Sequence, residues 1–425
     1  MRRFFTTVLS LAGVLLAGPV LAADLTIWGL QAFNPKADQH LAKMAKDFGA
    51  ARGLSVEYVV VPANVINERL AAAFEGKAAP DVFMQAGQQA LYYASLGLTE
   101  PLDEVVAKMR SQPGGIYERV MPQAMYKGQA HAAPVEVDLF PMFVRTDLLK
   151  AVGLGIPKTW DDVRTAMAAI VKANPQVSGL GITLSNATDA EMQLRMLVWS
   201  YGGAMFSQDN KTVTWSSPET VAAYKYLADM YAKGLIPKSA LTWDDAGNNT
   251  AYQTGRSAII MNPPSVYSWM QQNDPKLLAD SEMVSIPKGP GEKGRSASIL
   301  SSFSWLINKD SKRKSDAKAW LDYFFEVKNY EPLIDITGGR WVPIYPALTK
   351  SMPLFAKTPA FAAFDDLARN GLVDGHAGEA SAASAAVFQA KVVTQSVQKM
   401  LVDRTSPESA VAWAQEQIET IAKAK

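Results

Sequence analysis

The chain has 425 residues, 48% of them hydrophobic, with 42 Lys and Arg against 41 Asp and Glu. A formal charge of +1 leaves no electrostatic footprint for nucleic acid or an anionic membrane surface. The absence of cysteine excludes a disulfide framework, a thiolate nucleophile and a cysteine metal site, and the length predicts two domains of about 150–200 residues.

Arg2 and Arg3 head an almost wholly apolar, charge-free run over 4–17, followed by Pro19 and the small-residue site Val20-Leu21-Ala22. This pattern predicts a cleavable export signal over 1–22, too short to cross a bilayer that needs about 20 apolar residues. Its removal takes the formal charge to −1. With no cysteine behind it to carry a lipid, the expected product diffuses freely in a periplasm.

A short strand at 25–28 ends in Gly29. A helix over 38–48 follows, with Leu41, Met44, Ala45 and Phe48 on one face. A strand over 54–61, a helix over 64–74 and a strand over 81–84 complete an α/β alternation, the mark of a mostly parallel sheet covered by helices. The turn Gln85-Ala86-Gly87-Gln88 then falls at the carboxyl end of a strand, where open α/β sheets bind ligands. Residues 126–131 read as a turn and strand. Over 133–140 acidic and apolar residues alternate, which predicts a strand with one wet face. A short helix is expected from 146 to about Gly153. The next begins at 157–163, with Thr159 as cap, Asp161 and Asp162 in the first turn, and Trp160 as a structural plug. Further on come a strand at 180–183 and helices at 190–199, 218–233 and 247–254. Strands at 258–261 and 299–307, a helix at 315–325 and a closing helix at 405–424 follow.

Few motifs carry chemistry. Gly289-Pro290-Gly291-Glu292-Lys293-Gly294 has the spacing of a dinucleotide loop but no helix to follow it, so it reads as a connection between strands. His40, His131 and His376 are too scattered for a metal site, and no cofactor is expected. The pairs Asp161-Asp162, Asp244-Asp245 and Asp365-Asp366 leave a glycosidase-like carboxylate pair open, but nothing sets one across a cleft. No catalytic residue is assigned. Among ten tryptophans, Trp320 and Trp413 lie inside helical patterns and read as core. Trp28, Trp199, Tyr201, Trp243, Tyr267, Trp269, Trp305 and Trp341 fall at element ends. There an aromatic face can stack on a sugar ring while polar neighbours satisfy its hydroxyls.

Several segments resemble the solute-binding proteins of ABC importers, in the branch of maltose and multiple-sugar binders. The opening strand Leu25-Thr26-Ile27-Trp28 is similar, as is Gly76-Lys77-Ala78-Ala79-Pro80-Asp81-Val82. The middle matches through Ala133-Pro134-Val135-Glu136-Val137-Asp138, Arg145-Thr146-Asp147-Leu148-Leu149 and Pro157-Lys158-Thr159-Trp160. Tyr252 to Met261 and Ile286-Pro287-Lys288-Gly289-Pro290-Gly291 continue it.

The resemblance implies an α/β fold of two lobes, the first over 24–134 and 300–343, the second over 135–299 and 344–425. The ligand would sit in the cleft, and hinge closure would present the closed form to membrane permease subunits. Carried over by position, Gln31, Gln85 and Gln88 follow strands of the first lobe. Glu136 and Asp138 lie on the first crossing. Trp243, Asp244 and Asn248 stand at a helix start, and Asn262, Pro263 and Ser265 in the turn after Met261. Ser301 and Ser302 lie on the second crossing, Arg340 and Trp341 near the third. The maltose-type pattern has a stacking tryptophan near Ser265; its absence favours a smaller ligand. The expected protein is a monomer that binds a mono- or short oligosaccharide or sugar derivative. An anionic ligand held by Arg340, such as a glycerol-phosphate or sulfonated sugar, is the alternative. A secreted carbohydrate-active enzyme is a distant one.

Overall fold

The computed structural model describes residues 23–361 and 364–425; the expected export signal lies outside them. The α/β alternation begins with the strand Leu25–Leu30, the helix Pro35–Arg52 and the strand Val56–Val61. The helix Ile66–Glu75 and the strand Val82–Ala86 follow. The first helix starts three residues before the expected position because Asn34 accepts hydrogen bonds from the amides of Lys36 and Ala37, with Pro35 in the first turn. Gly53, at φ +67°, ends it in the left-handed conformation.

These strands form a five-stranded sheet in the order 56–61, 25–30, 82–86, 303–307, 133–134. The first three are parallel, and Phe303–Ile307 enters antiparallel. A four-stranded sheet holds Ser281–Val284, Met142–Arg145, Ser257–Met261 and Ser178–Gly181, with the last two parallel. Alternation over 259–261 divides two cores: Ile259 and Met261 face one, Ile260 the other.

A three-stranded sheet links these two units. Glu136–Leu139 lies at its centre between Leu300–Ser301 and Val342–Pro343. Here two expectations are corrected. The strand expected over 133–140 breaks at Val135, and the one expected over 299–307 breaks at Ser302, because each segment passes from one sheet to another. The expected wet face is also absent: every residue of 133–140 is buried. The segment after the third crossing straps both units, with Tyr345 on Tyr330 at 5.2 Å and Phe361 on Tyr267 at 5.1 Å between centroids.

Thr159 forms a capping box: its hydroxyl accepts from the Asp162 amide at 3.1 Å, and Asp162 accepts from the Thr159 amide at 2.9 Å. Trp160 is 1% exposed and donates to Ser200 Oγ at 2.6 Å, the plug its position predicts. Thr159→Ala is expected to cost about 1 kcal/mol, read as a fall of about 2–4 °C in melting temperature. The 289–294 loop is built for packing. A Cβ on Gly289 would come 2.2 Å from the Ser200 carbonyl oxygen, and no helix follows the loop.

Candidate functional site

The crossing strands bring charge into the interior. Asp138 and Arg340 are 4% and 3% exposed, and Arg340 Nη1 donates to Asp138 Oδ1 at 2.9 Å. The guanidinium also lies over the Phe303 ring, 5.2 Å from its centroid. Glu136 is two residues away on the same strand, so it shares a face with Asp138. It is fully buried; Oε1 accepts from the Phe303 amide at 2.7 Å and Oε2 has no partner among the described residues. Burial, then the charge of Asp138, push Glu136 well above the ordinary carboxylate range, with Arg340 opposing. Burial also raises Asp138, again against the pull of Arg340.

The second unit faces this pair with a helix N-terminus. Thr188–Ser200 follows Ala187, which has no side chain to cap it. Asp245 supplies the cap from a distant loop, its Oδ1 accepting from the Asp189 amide at 2.9 Å. Asp189 itself lines the cavity, its carboxyl within the fields of Asp138, Asp245 and Arg340. Burial, then Asp245 and Asp138, push it well above the ordinary range. Behind it Lys391 Nζ donates to Thr188 Oγ1 at 3.3 Å, and burial pulls that amine down to about 8.

Asp138, Asp189, Asp245, Arg340 and Gln89 thus line one cavity with Phe33, Phe140 and Phe303 among its apolar walls. Its volume is about 40 Å³, against about 300–1,000 Å³ for small-molecule sites, so a ligand enters only if the units part. They are held together beside it. The helix Ala382–Gln389 packs along Gly87–Ser95, and Arg119 Nη1 reaches Glu379 at 2.7 and 2.8 Å.

Of the expected site residues, the structure gathers Asp138, Arg340 and, directly behind them, Glu136. Pro263 also lines the cavity. Gln31 is half-buried at the end of its strand. The expected 85–88 turn is replaced by strand running directly into helix at Gly87. Gln85 therefore stays on the sheet, donating to Asn67 Oδ1 at 3.0 Å, and Gln88 points at the second crossing, accepting from Ser301 Oγ at 3.0 Å. Gln89, not singled out by the sequence, reaches the cavity instead. Ser302 Oγ is shared with Ser304 Oγ at 3.1 Å. Asn248, Asn262 and Ser265 bond one another: Asn248 Nδ2 donates to Asn262 Oδ1, and Asn262 Nδ2 to Ser265 Oγ, both at 2.9 Å. They hold the turn that carries Pro263.

Trp243 packs against the second core beside Gly247, away from the cavity, and exposed Asp244 accepts from the Ala246 amide. Asp245, the other half of that acidic pair, is the one that faces inward. Trp341 is fully buried and meets Phe303 edge-on at 6.1 Å, so it backs the wall without forming it. Trp199 and Trp305 are likewise fully buried. Phenylalanines supply the cavity's aromatic surface. Asp189 could have been found from its place just beyond the 178–181 strand, at a strand's carboxyl end.

Two α/β units, joined by three crossing strands and shut over a cavity where charged groups meet apolar walls, define a two-lobe periplasmic binding protein fold. Residues 34–331 match the model of the bacterial extracellular solute-binding proteins, and the chain belongs to that family. Among curated relatives, a probable ABC transporter-binding protein of Deinococcus radiodurans is 24% identical over 250 residues, 58% of each chain. The maltotriose-binding protein of Pyrococcus abyssi is 23% identical over 55% of this chain and 47% of its own. The chain thus spans about half the length of the curated relatives it matches. An ABC transporter solute-binding protein of Thermotoga lettingae, solved with α-D-tagatose, has a TM-score of 0.82 at 20% identity, covering 94% of this chain and 99% of that one. Maltose-bound MalE3 of T. maritima has a TM-score of 0.80 at 20% identity, covering 93% and 99%. The structural likenesses establish the fold.

Proposed function

We propose that the protein is the extracytoplasmic solute-binding component of an ABC importer. It captures a mono- or short oligosaccharide, or a sugar derivative, by hinge closure in the periplasm and delivers it to membrane permease subunits. The observation that carries the reading is the interlobe cavity, where donors and acceptors from both lobes meet apolar walls. Such a mixture suits hydroxyls around a ring. Lobes over 24–134 plus 300–343 and 135–299 plus 344–425 would turn about Val135, Ser302 and the Gly338-Gly339 pair, whose φ angles are +59° and +89°. The family relation and the sugar-bound proteins of the same fold support it. The cavity's lining speaks against an anionic ligand. Arg340 is already held by Asp138, and the carboxyls of Asp189 and Asp245 offer a phosphate or sulfonate no balancing cation.

Titration of the chain with a panel of neutral and substituted sugars tests the proposal. Phe303 lines the cavity and Trp341 packs edge-on behind it, so a ligand that shifts Phe303 should change tryptophan fluorescence. At 100 times its Kd it should also add about 2.7 kcal/mol of stability, seen as a higher melting temperature. Silence of both signals across the panel would sink the carbohydrate reading.

A further inference from the structure

We propose that the ligand carries a basic nitrogen: the site is built for an amino sugar, with its ammonium on Asp189 and its hydroxyl or ring oxygens on Gln89 and Arg340. This rests on the carbohydrate reading above and narrows it.

Two sets of unmatched groups meet in the cavity. On one side are donors. Gln89 Nε2 and Arg340 Nε belong to side chains only 3% exposed, line the cavity, and have no hydrogen-bond partner among the described residues. Buried donors of this kind are costly unless something accepts from them. Sugar oxygens would.

On the other side is a surplus of carboxyl groups. Asp138, Asp189 and Asp245 line the cavity and Glu136 stands behind it, against the cations Arg340 and Lys391. Each neighbour has a use except one. Asp138 is paired with Arg340, Asp245 caps the helix at the Asp189 amide, and Glu136 accepts from Phe303. Lys391 donates to Thr188, next to Asp189 in sequence but one residue back on the helix. The Asp189 carboxylate alone has neither hydrogen bond nor ion pair among the described residues, only the fields of other charges around it. A neutral sugar hydroxyl would give it a hydrogen bond and leave unopposed the burial and the neighbouring carboxyls that disfavour its ionised form. An ammonium gives it the bond and holds it in the ionised form, and charge-assisted bonds are roughly twice as strong as neutral ones.

The test uses matched pairs that differ only in amine against hydroxyl or amide: D-glucosamine, D-glucose and N-acetyl-D-glucosamine; D-galactosamine and D-galactose; chitobiose as free amine and cellobiose. Affinities are measured by calorimetry on the full mature chain and on Asp189→Asn. The amine member of the bound pair should win by about 10- to 100-fold in the natural chain. That ratio should collapse towards one in the variant, and because the comparison is internal to each protein it survives a general weakening of the site. Neutral members binding as well as amines would overturn the inference and leave the carbohydrate reading standing. An amine preference undiminished in Asp189→Asn would overturn the assignment to Asp189. If no member of any pair binds either protein, the carbohydrate reading falls and takes this inference with it.

Discussion

Arg340→Met is expected to cost the fold about 3–5 kcal/mol, the range for removing one partner of a buried ion pair. Methionine fills much of the volume and can keep the contact with Phe303, so the loss is of charge. Asp138, 4% exposed, would be left without its 2.9 Å partner, two residues from a fully buried Glu136. Urea unfolding measures the cost. Adding Asp138→Asn should recover part of it, with a coupling energy of about 1–3 kcal/mol. The sign with pH follows from the same groups. Both carboxyls already sit above their ordinary range, and without the guanidinium they rise further. A carboxyl raised in the folded state contributes stability fully below its unfolded pKa, and that contribution is lost as pH rises through the folded value. The deficit of Arg340→Met should therefore be smaller at pH 5 than at pH 7. A cost under about 1 kcal/mol, or a deficit that grows on acidification, would mean the pair does not hold the crossing strands.

What could be read in the sequence was what local pattern decides. Leu41, Met44, Ala45 and Phe48 at helical spacing, or the buried strand after Pro80-Asp81, owe their structure to neighbours in the chain. So does the Thr159 cap. The site depended on finer matters. One residue of rotation separates Gln88, on the crossing strand, from Gln89, in the cavity. It is set by strand passing into helix at Gly87 with no turn between. One residue likewise separates exposed Asp244 from inward Asp245. The tryptophans were misleading because a large apolar ring gains more from full burial than from a cleft wall, and Trp199, Trp305 and Trp341 are all fully buried. Asp189 meets Asp138 and Arg340 only after the chain has crossed between lobes three times. No local spacing encodes that meeting.

Arg195→Met should cost about as much as Arg340→Met, for a reason lying behind the cavity. Thr188–Ser200, whose first turn carries Asp189, is buried over 190–200 and brings Glu191 and Arg195 together one turn apart. Arg195 has no exposed surface. Its Nη2 donates to Glu191 Oε1 at 2.8 Å, its Nη1 pairs with Asp374, and its guanidinium lies 5.1 Å from the Phe388 ring centroid. Glu191 Oε2 in turn accepts from the Thr394 amide and hydroxyl at 3.0 and 2.8 Å, tying in the helix Val392–Leu401. Loss of the guanidinium strands two carboxylates in the core, and about 3–5 kcal/mol is the expected penalty. Asp374→Asn separates charge from shape. Burial pushes Asp374 up to about 6 from an ordinary 3.8, so its contribution to stability is complete below pH 3.8 and is lost as pH rises through 6. The asparagine variant does not titrate, so its stability relative to the natural chain should climb between about pH 4 and pH 6.5, by up to about 3 kcal/mol. Paired urea unfolding curves at pH 4.5, 5.5 and 7 would show it. A difference flat across that range would mean that Arg195 fully compensates the buried carboxylate. Because this cluster fixes the helix that presents Asp189, Arg195→Met should also weaken ligand binding without touching the cavity.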